Sequence, residues 1–214
     1  MATYEQTDFS HYKTSTLSRR IHRRYLISGC DNLDEFICLL KESAQERVNL
    51  RQDLLISVTQ FFRDQRAWDV LETGVIPQLI KKANPREELR CWVTACATGE
   101  EAYSLAILLD EAVAKSDKPV KFKIFATDVD KKALEKATQG IYPLTITKNI
   151  NPERLERYFI RKDNCLQVIR KLREKLLFAP HDLTKDAGFT RMNLISCRNV
   201  LIYLQSDLQQ QVLR

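Results

Sequence analysis

Residues 89–110, LRCWVTACATGEEAYSLAILLD, constrain this chain more than any other stretch. Leu89, Cys91, Trp92, Val93 and Ala95 make a short apolar run rich in β-formers, the pattern of a strand covered on both faces. Cys96 to Gly99 are small. Gly99 can take positive φ or let a ligand approach the backbone. Glu100 and Glu101 then open a helix at its positive end. Leu105, Leu108, Leu109 and Ala112 follow at i, i+3, i+4 and i+7, the stripe of a helix packed on a sheet. Strand, small-residue turn and helix form the first half of a nucleotide-binding βα unit, although an ordinary βα turn reads the same way. No GxGxxG is present to cradle a pyrophosphate, and no GxxxxGK[ST] to cradle a triphosphate. Two acids at the turn repel phosphate; they suit a ligand with ammonium or sulfonium charge and sugar hydroxyls.

The chain has 214 residues, room for one large domain or two small ones. It is 44% hydrophobic and 29% charged, so it reads as globular, and no apolar run is long enough for a membrane span. MATYEQTDFSHYK lacks the apolar core of a signal peptide. Six cysteines (Cys30, Cys38, Cys91, Cys96, Cys165, Cys197) show no CxxC spacing and read as buried reduced thiols of a cytoplasmic protein. His11, His22 and His181 lie far apart and make no metal motif, so no metal is expected. The net charge of +6 permits an acidic partner. No aromatic-interleaved basic patch supports nucleic acid, and direct membrane insertion is not expected.

In chain order, residues 9–58 read as helical throughout. Leu17, Ile21 and Tyr25 mark one face, with Arg19, Arg20, Arg23 and Arg24 around it. Gly29 ends that helix, Asn32 or Asp31 caps the next, and Phe36, Ile37, Leu39 and Leu40 form its core face. The arginines are either a solvated face or a docking surface for an acidic helical partner. In SVTQFFRD (57–64), Phe61 and Phe62 can anchor the segment in apolar surface. Thr59 and Arg63 face one way if the segment is helical. Asn84-Pro85 marks the passage into the α/β part. Residues 120–127 read as a second strand ending at Asp128, where doubly wound folds bind ribose hydroxyls. Asp130 caps a helix closed by Gly140. Residues 141–175 break the βαβ rhythm and read as a small insertion, with a helix from Pro152 and a strand at 166–169. Residues 176–179 and 192–196 are the third and fourth main strands.

These pieces stand together: TQFFRD (59–64), CWVTACATGEEAYSLA (91–106), FATDVD (125–130), GIY (140–142), RYF (157–159), FAPHDL (178–183) and ISCRNVLIYL (195–204). Their combination closely resembles the CheR-type chemotaxis receptor methyltransferases, which are S-adenosylmethionine-dependent protein-glutamate O-methyltransferases. The resemblance implies an α/β fold. Its Rossmann-like methyltransferase sheet (81–214) carries a small β insertion (141–175) and follows an all-helical N-terminal domain (1–80). The family adds strands after the fourth, so the sheet is expected to be truncated at its C-terminal strands, with an open edge prone to association.

By resemblance, Thr59 and Arg63 contact the methyl donor, Glu100 lies near its amino-acid end and Asp128 on its ribose. Asp182 and Leu183 stand at the adenine, Arg198 and Asn199 line the donor, and Tyr203 faces the reacting centre. Arg63 and Tyr203 are the expected catalytic residues. The implied cofactor is S-adenosylmethionine, leaving S-adenosylhomocysteine, and the implied partner is the cytoplasmic helical region of a chemoreceptor-like protein. Departures are Ala95 for a common glycine, Ala97 for serine, Ala102 for proline and Asp182 for Asn. A carboxylate at 182 can accept from the adenine amino group but cannot donate. The short 162–164 loop weakens the case for tethering a receptor-tail peptide. A glutamate nucleophile has an ordinary pKa of about 4.3 and needs no general base at neutral pH. Two other readings stay open: a donor-binding regulatory or scaffold module without turnover, and a methyltransferase with another substrate.

Overall fold

The computed structural model describes residues 8–10 and 12–213; His11 and the first seven residues, read above for the lack of an apolar leader core, lie outside the described residues. The chain forms two compact units. Ser57–Arg198 is the larger, and the residues up to Ile56 join those from Asn199 in the smaller.

In the smaller unit, α1 (Thr14–Ser28) closes at Gly29, whose φ of 76° is the left-handed C-cap expected. Asn32 caps α2 (Leu33–Glu42) by accepting from the Glu35 N–H at 2.9 Å. Ser43 ends α2 and also caps α3 (Ala44–Leu54), accepting from the Glu46 N–H at 3.1 Å. Glu46 does not complete a capping box. It takes a bidentate pair of hydrogen bonds from Arg24, 2.6 and 2.7 Å long. Arg20 donates to the Asp53 carbonyl. Two of the four arginines are therefore spent on internal partners, while Arg19 and Arg23 are exposed. Phe36 is buried but Ile37, expected on the same core face, is 40% exposed.

The larger unit opens with residues that are not helical, against expectation. Phe62 and Asp64 have φ of 50° and 60°, which breaks any helical relation between Thr59 and Arg63. The reversal lets the neighbouring rings diverge. Phe61 meets Tyr142 and Phe159 edge-on, and Phe62 meets Trp68. Then come α4 (Gln65–Val70), a π-helical turn (Leu71–Val75) and α5 (Ile76–Lys82), with Pro77 in its first turn. Because α5 packs on the first helix of the α/β part, residues 57–80 belong to the same compact unit as the sheet.

β1 (Glu88–Thr94), α6 (Glu100–Ala114), β2 (Lys121–Asp128) and α7 (Lys131–Gln139) follow as read from the sequence. Helix α6 is buried from Ala102 to Leu109, more completely than a single stripe requires. The insertion contains three strands where one was expected. β3 (Ile141–Pro143) precedes α8 (Pro152–Tyr158), β4 (Phe159–Lys162) and β5 (Cys165–Val168), in antiparallel order β3-β5-β4. β3 and β4 are too short or too charged to alternate visibly, and pairing with β5 makes them strands. A short α9 (Arg170–Arg173) leads to β6 (Leu176–Pro180) and then β7 (Leu194–Ser196).

The main sheet is parallel, with order β6-β2-β1-β7. The chain runs outward from β1 through β2 to β6, then returns to the far side of β1 for β7. That reversal is a topological switch point, and its crevice opens at the C-terminal strand ends.

Residues 199–213 return to the smaller unit with a 3-10 turn (Leu201–Tyr203) and α10 (Ser206–Val212). Tyr12 bridges Leu204, and the Lys13 N–H donates to the Tyr203 carbonyl at 2.9 Å. All six cysteines are free, but only Cys91 and Cys96 are buried and Cys38 is exposed. Burial pushes the Cys91 thiol up to about 12.

Candidate functional site

After β1 the backbone alternates handedness. Ala95, Ala97 and Gly99 have φ of 48°, 48° and 93°. For alanine this conformation costs about 1 kcal/mol, so neighbouring bonds must hold it. The Cys96 N–H donates to the Thr127 carbonyl and the Gly99 N–H to the Cys96 carbonyl, both at 2.9 Å. The Ala97 N–H donates to Asp128 Oδ2 at 2.8 Å. Asp128 Oδ1 accepts from the Asp130 N–H, also at 2.8 Å. Asp128 thus ties the ends of two strands together. Each of its oxygens keeps a lone-pair direction for a further donor. Burial raises its pKa, and the backbone donors pull it back down.

Gly99 is dictated by packing within the protein. A Cβ there would stand 2.8 Å from the Ala137 Cβ and 3.2 Å from the Tyr142 hydroxyl. That hydroxyl donates to the Thr98 carbonyl at 2.8 Å. The Thr98 hydroxyl donates to Glu100 at 2.7 Å; Glu100 is buried, and burial raises its pKa while this bond opposes the rise.

The 59–64 loop docks on α6. The Phe62 N–H donates to Ser104 Oγ at 3.0 Å, and Ser104 donates to the Glu100 carbonyl at 2.7 Å. Arg63 bends back on its own loop and donates to the Val58 carbonyl at 3.1 Å. Thr59 is half-buried.

At the β7 tip, Arg198 donates to the Arg63 carbonyl at 2.7 Å and pairs with Asp64 at 3.2 Å. Its guanidinium lies 5.1 Å over the Trp68 ring, and its other terminal nitrogen stands 3.9 Å from Glu101. Glu101 accepts from Ser196 Oγ at 2.6 Å. The sequence reading used Glu101 as a helix-opening acid and, with Glu100, as a turn acid suited to a cationic ligand, and gave it no partner within the chain. Adjacent helix positions point about 100° apart, so two successive glutamates already implied two different neighbourhoods.

At the β6 tip, Asp182 Oδ1 accepts from both the backbone N–H and the hydroxyl of Thr184, at 2.9 and 2.7 Å. Leu183 beside it is half-buried. His181, unassigned by the sequence, is buried between Trp92 and Phe189 and donates its backbone N–H to the Asp128 carbonyl at 3.0 Å.

Seven expected residues, Thr59, Arg63, Glu100, Asp128, Asp182, Leu183 and Arg198, belong to this one unit. Asp128, Asp182 and Arg198 end or follow β2, β6 and β7 of the one parallel sheet. Asn199 (φ 57°) and Tyr203 belong to the smaller unit and carry none of this geometry. The edge offers one buried carboxylate, Glu100, and half-buried ones at Glu101, Asp128 and Asp182, which fits a cationic nucleoside with a free amino-acid end.

An α/β unit with a switch point and a carboxylate at the second strand's tip is of the nucleoside-binding class. Comparison narrows it. Residues 57–214 match the model of the CheR methyltransferase SAM binding domain, and residues 6–55 that of the CheR methyltransferase all-alpha domain. The chain belongs to the CheR methyltransferase family and is a SAM-dependent methyltransferase. It is 34% identical over 209 residues to a chemotaxis protein methyltransferase of Listeria innocua, spanning 95% of this chain and 76% of that protein. The Escherichia coli chemotaxis protein methyltransferase is 33% identical over 215 residues, spanning 95% and 71%. An uncharacterized 104.1 kDa protein of Rhodobacter capsulatus is 38% identical over 209 residues, spanning 98% of this chain but 22% of that protein.

Proposed function

We propose that this chain transfers the methyl group of S-adenosylmethionine to glutamate side chains in the helical cytoplasmic region of a chemoreceptor-type protein, forming glutamate methyl esters. The observation that carries the reading is the half-buried Asp128, which joins the turn after β1 to the tip of β2 and has acceptor capacity to spare, at the edge of a SAM-binding family fold. When bound, S-adenosylmethionine supplies an electrophilic methyl on sulfur. The chain's residues bind, orient and exclude water. Asp128 accepts from ribose hydroxyls. Glu100 favours the ammonium end. Asp182 accepts from the adenine amino group through the oxygen that Thr184 does not use. Thr59 offers its half-buried hydroxyl to the donor.

The incoming glutamate is ionised at neutral pH, so the chain needs no proton acceptor. It must hold oxygen and carbon at reacting distance, about 3 Å, and strip water from the carboxylate. Arg63 uses one of its five N–H donors on Val58, leaving others to orient that carboxylate. The roles of Asn199 and Tyr203 rest on the resemblance alone. The partner's acidic helix would meet the exposed Arg19 and Arg23 of α1. Among the described residues no helix is long and apolar enough to cross a membrane.

The deciding experiment incubates the full chain with methyl-labelled donor and a receptor cytoplasmic fragment. Label on the receptor that base releases as methanol is the expected result. Donor binding by calorimetry without any transfer would overturn the proposal in favour of a binding module.

A further inference from the structure

We propose that Glu101 and Ser196 are a positioning pair that, acting through Arg198, holds the 59–64 loop in the shape that presents Arg63; this deepens the reading of Arg63 as part of the reaction site and rests on it. The loop does not hold that shape by itself. Phe62 and Asp64 are both left-handed, and Arg63 sits between them. For a phenylalanine this conformation costs about 1 kcal/mol or more.

The Arg63 carbonyl, at the centre of the reversal, accepts two hydrogen bonds. One comes from Trp68 Nε1 at 2.8 Å, the other from Arg198 Nη2 at 2.7 Å. Trp68 stands on the helix that continues the loop, so its bond is local. Arg198 comes from the tip of β7, so its bond fastens the loop to the sheet.

An arginine side chain loses substantial rotamer freedom when fixed, and needs anchors of its own. The Trp68 ring supports one face of the guanidinium. Glu101 Oε2 faces Nη1 at 3.9 Å, an ion pair too long to be a hydrogen bond. Nη1 is buried and has no hydrogen bond of its own, so that charge balances the buried edge of the guanidinium. Ser196, two residues before Arg198, fixes Glu101 through its 2.6 Å bond. Arg63 and Asp64 are the other charges acting on Glu101 besides Arg198. Without the Glu101 charge, Arg198 keeps only Asp64 as an acidic partner, whose side chain is 61% exposed. Arg198 is therefore a positioning residue working through the loop.

The test compares Glu101→Gln and the milder Ser196→Ala with wild type in the full chain. Three quantities are read: amide hydrogen exchange across 59–65, donor affinity by calorimetry, and single-turnover methyl transfer. Losing one bond to a charged group should raise exchange across 59–65 roughly tenfold and slow transfer by a similar factor. Donor affinity should change less than about twofold, because binding and turnover separate when only the reacting geometry is lost. Unchanged exchange in both variants would overturn the proposal. So would donor affinity falling as far as the rate. Should wild type transfer no methyl at all, the proposed function fails on that result, and the exchange measurement still decides whether the pair holds the loop.

Discussion

Ala95 and Ala97 occupy left-handed backbone that glycine would take without steric cost, and the hydrogen bonds to Thr127 and Asp128 hold them there. Ala95→Gly should therefore raise stability by at most about 0.5 kcal/mol, the relief of strain less the flexibility added to the unfolded chain. A rise in melting temperature with unchanged donor affinity is the expected readout. A second prediction contrasts two charged residues. Asp128→Ala should weaken donor binding about tenfold or more by calorimetry, since it removes an acceptor and loosens the turn. Arg63→Ala should leave affinity nearly intact and lower turnover at least as much. At this scale the sequence told residue types more reliably than partners. Asp128 at a strand end was readable from spacing. That its Oδ2 already holds the Ala97 N–H was not, because that bond comes from a turn 31 residues earlier; the other, from Asp130, is local. Gly99 was read with two possible reasons; its φ of 93° bears out the first, and the close approach of Ala137 adds one the sequence did not show.

The elements were legible where periodicity was strong. β1, α6, β2 and α7 follow the hydrophobic pattern closely, since each buries a face whose spacing the backbone imposes. The pattern failed at 57–64, where two aromatic rings are buried in different directions by reversing the backbone, which no periodicity records. The same segment yields a prediction about α6. Ser104 is fully buried and satisfies the Phe62 N–H, so Ser104→Ala strands that donor and should cost about 1–3 kcal/mol in denaturant unfolding. In the helical unit, Arg24 holds the Glu46 carboxyl below the ordinary carboxylate range. A carboxyl whose folded pKa is lowered stabilises above its unfolded value, about 4.3, and loses that contribution as pH falls through the folded value. Glu46→Gln should cost about 2 kcal/mol at pH 7. The gap between variant and wild type should close below about pH 4 when unfolding is followed across pH.

On the scale of the whole molecule, Arg20 and Arg24 are engaged with Asp53 and Glu46, and Arg19 and Arg23 remain exposed on α1. The charge count alone could not separate the two pairs. If the exposed pair meets an acidic helix, Arg19→Glu with Arg23→Glu should raise the KM for receptor several-fold while donor affinity stays unchanged. The effect should fade as salt shortens the screening length from about 10 Å at 0.1 M. Steady-state methylation at two ionic strengths checks it. The smaller unit is discontinuous. It is built from residues on either side of Ser57–Arg198, and Tyr12 pairs with Leu204 while Gln205 donates to the Ser10 carbonyl at 3.1 Å. Synthesis runs from one end, so a ribosome has finished making β1, β2, β6 and β7 before Asn199 and the residues after it exist. The sheet can condense while the chain is still being made. The helical unit stays open until Leu204 and Gln205 emerge and must then close across the 195 residues between Ser10 and Gln205, at a cost that grows only slowly with loop length.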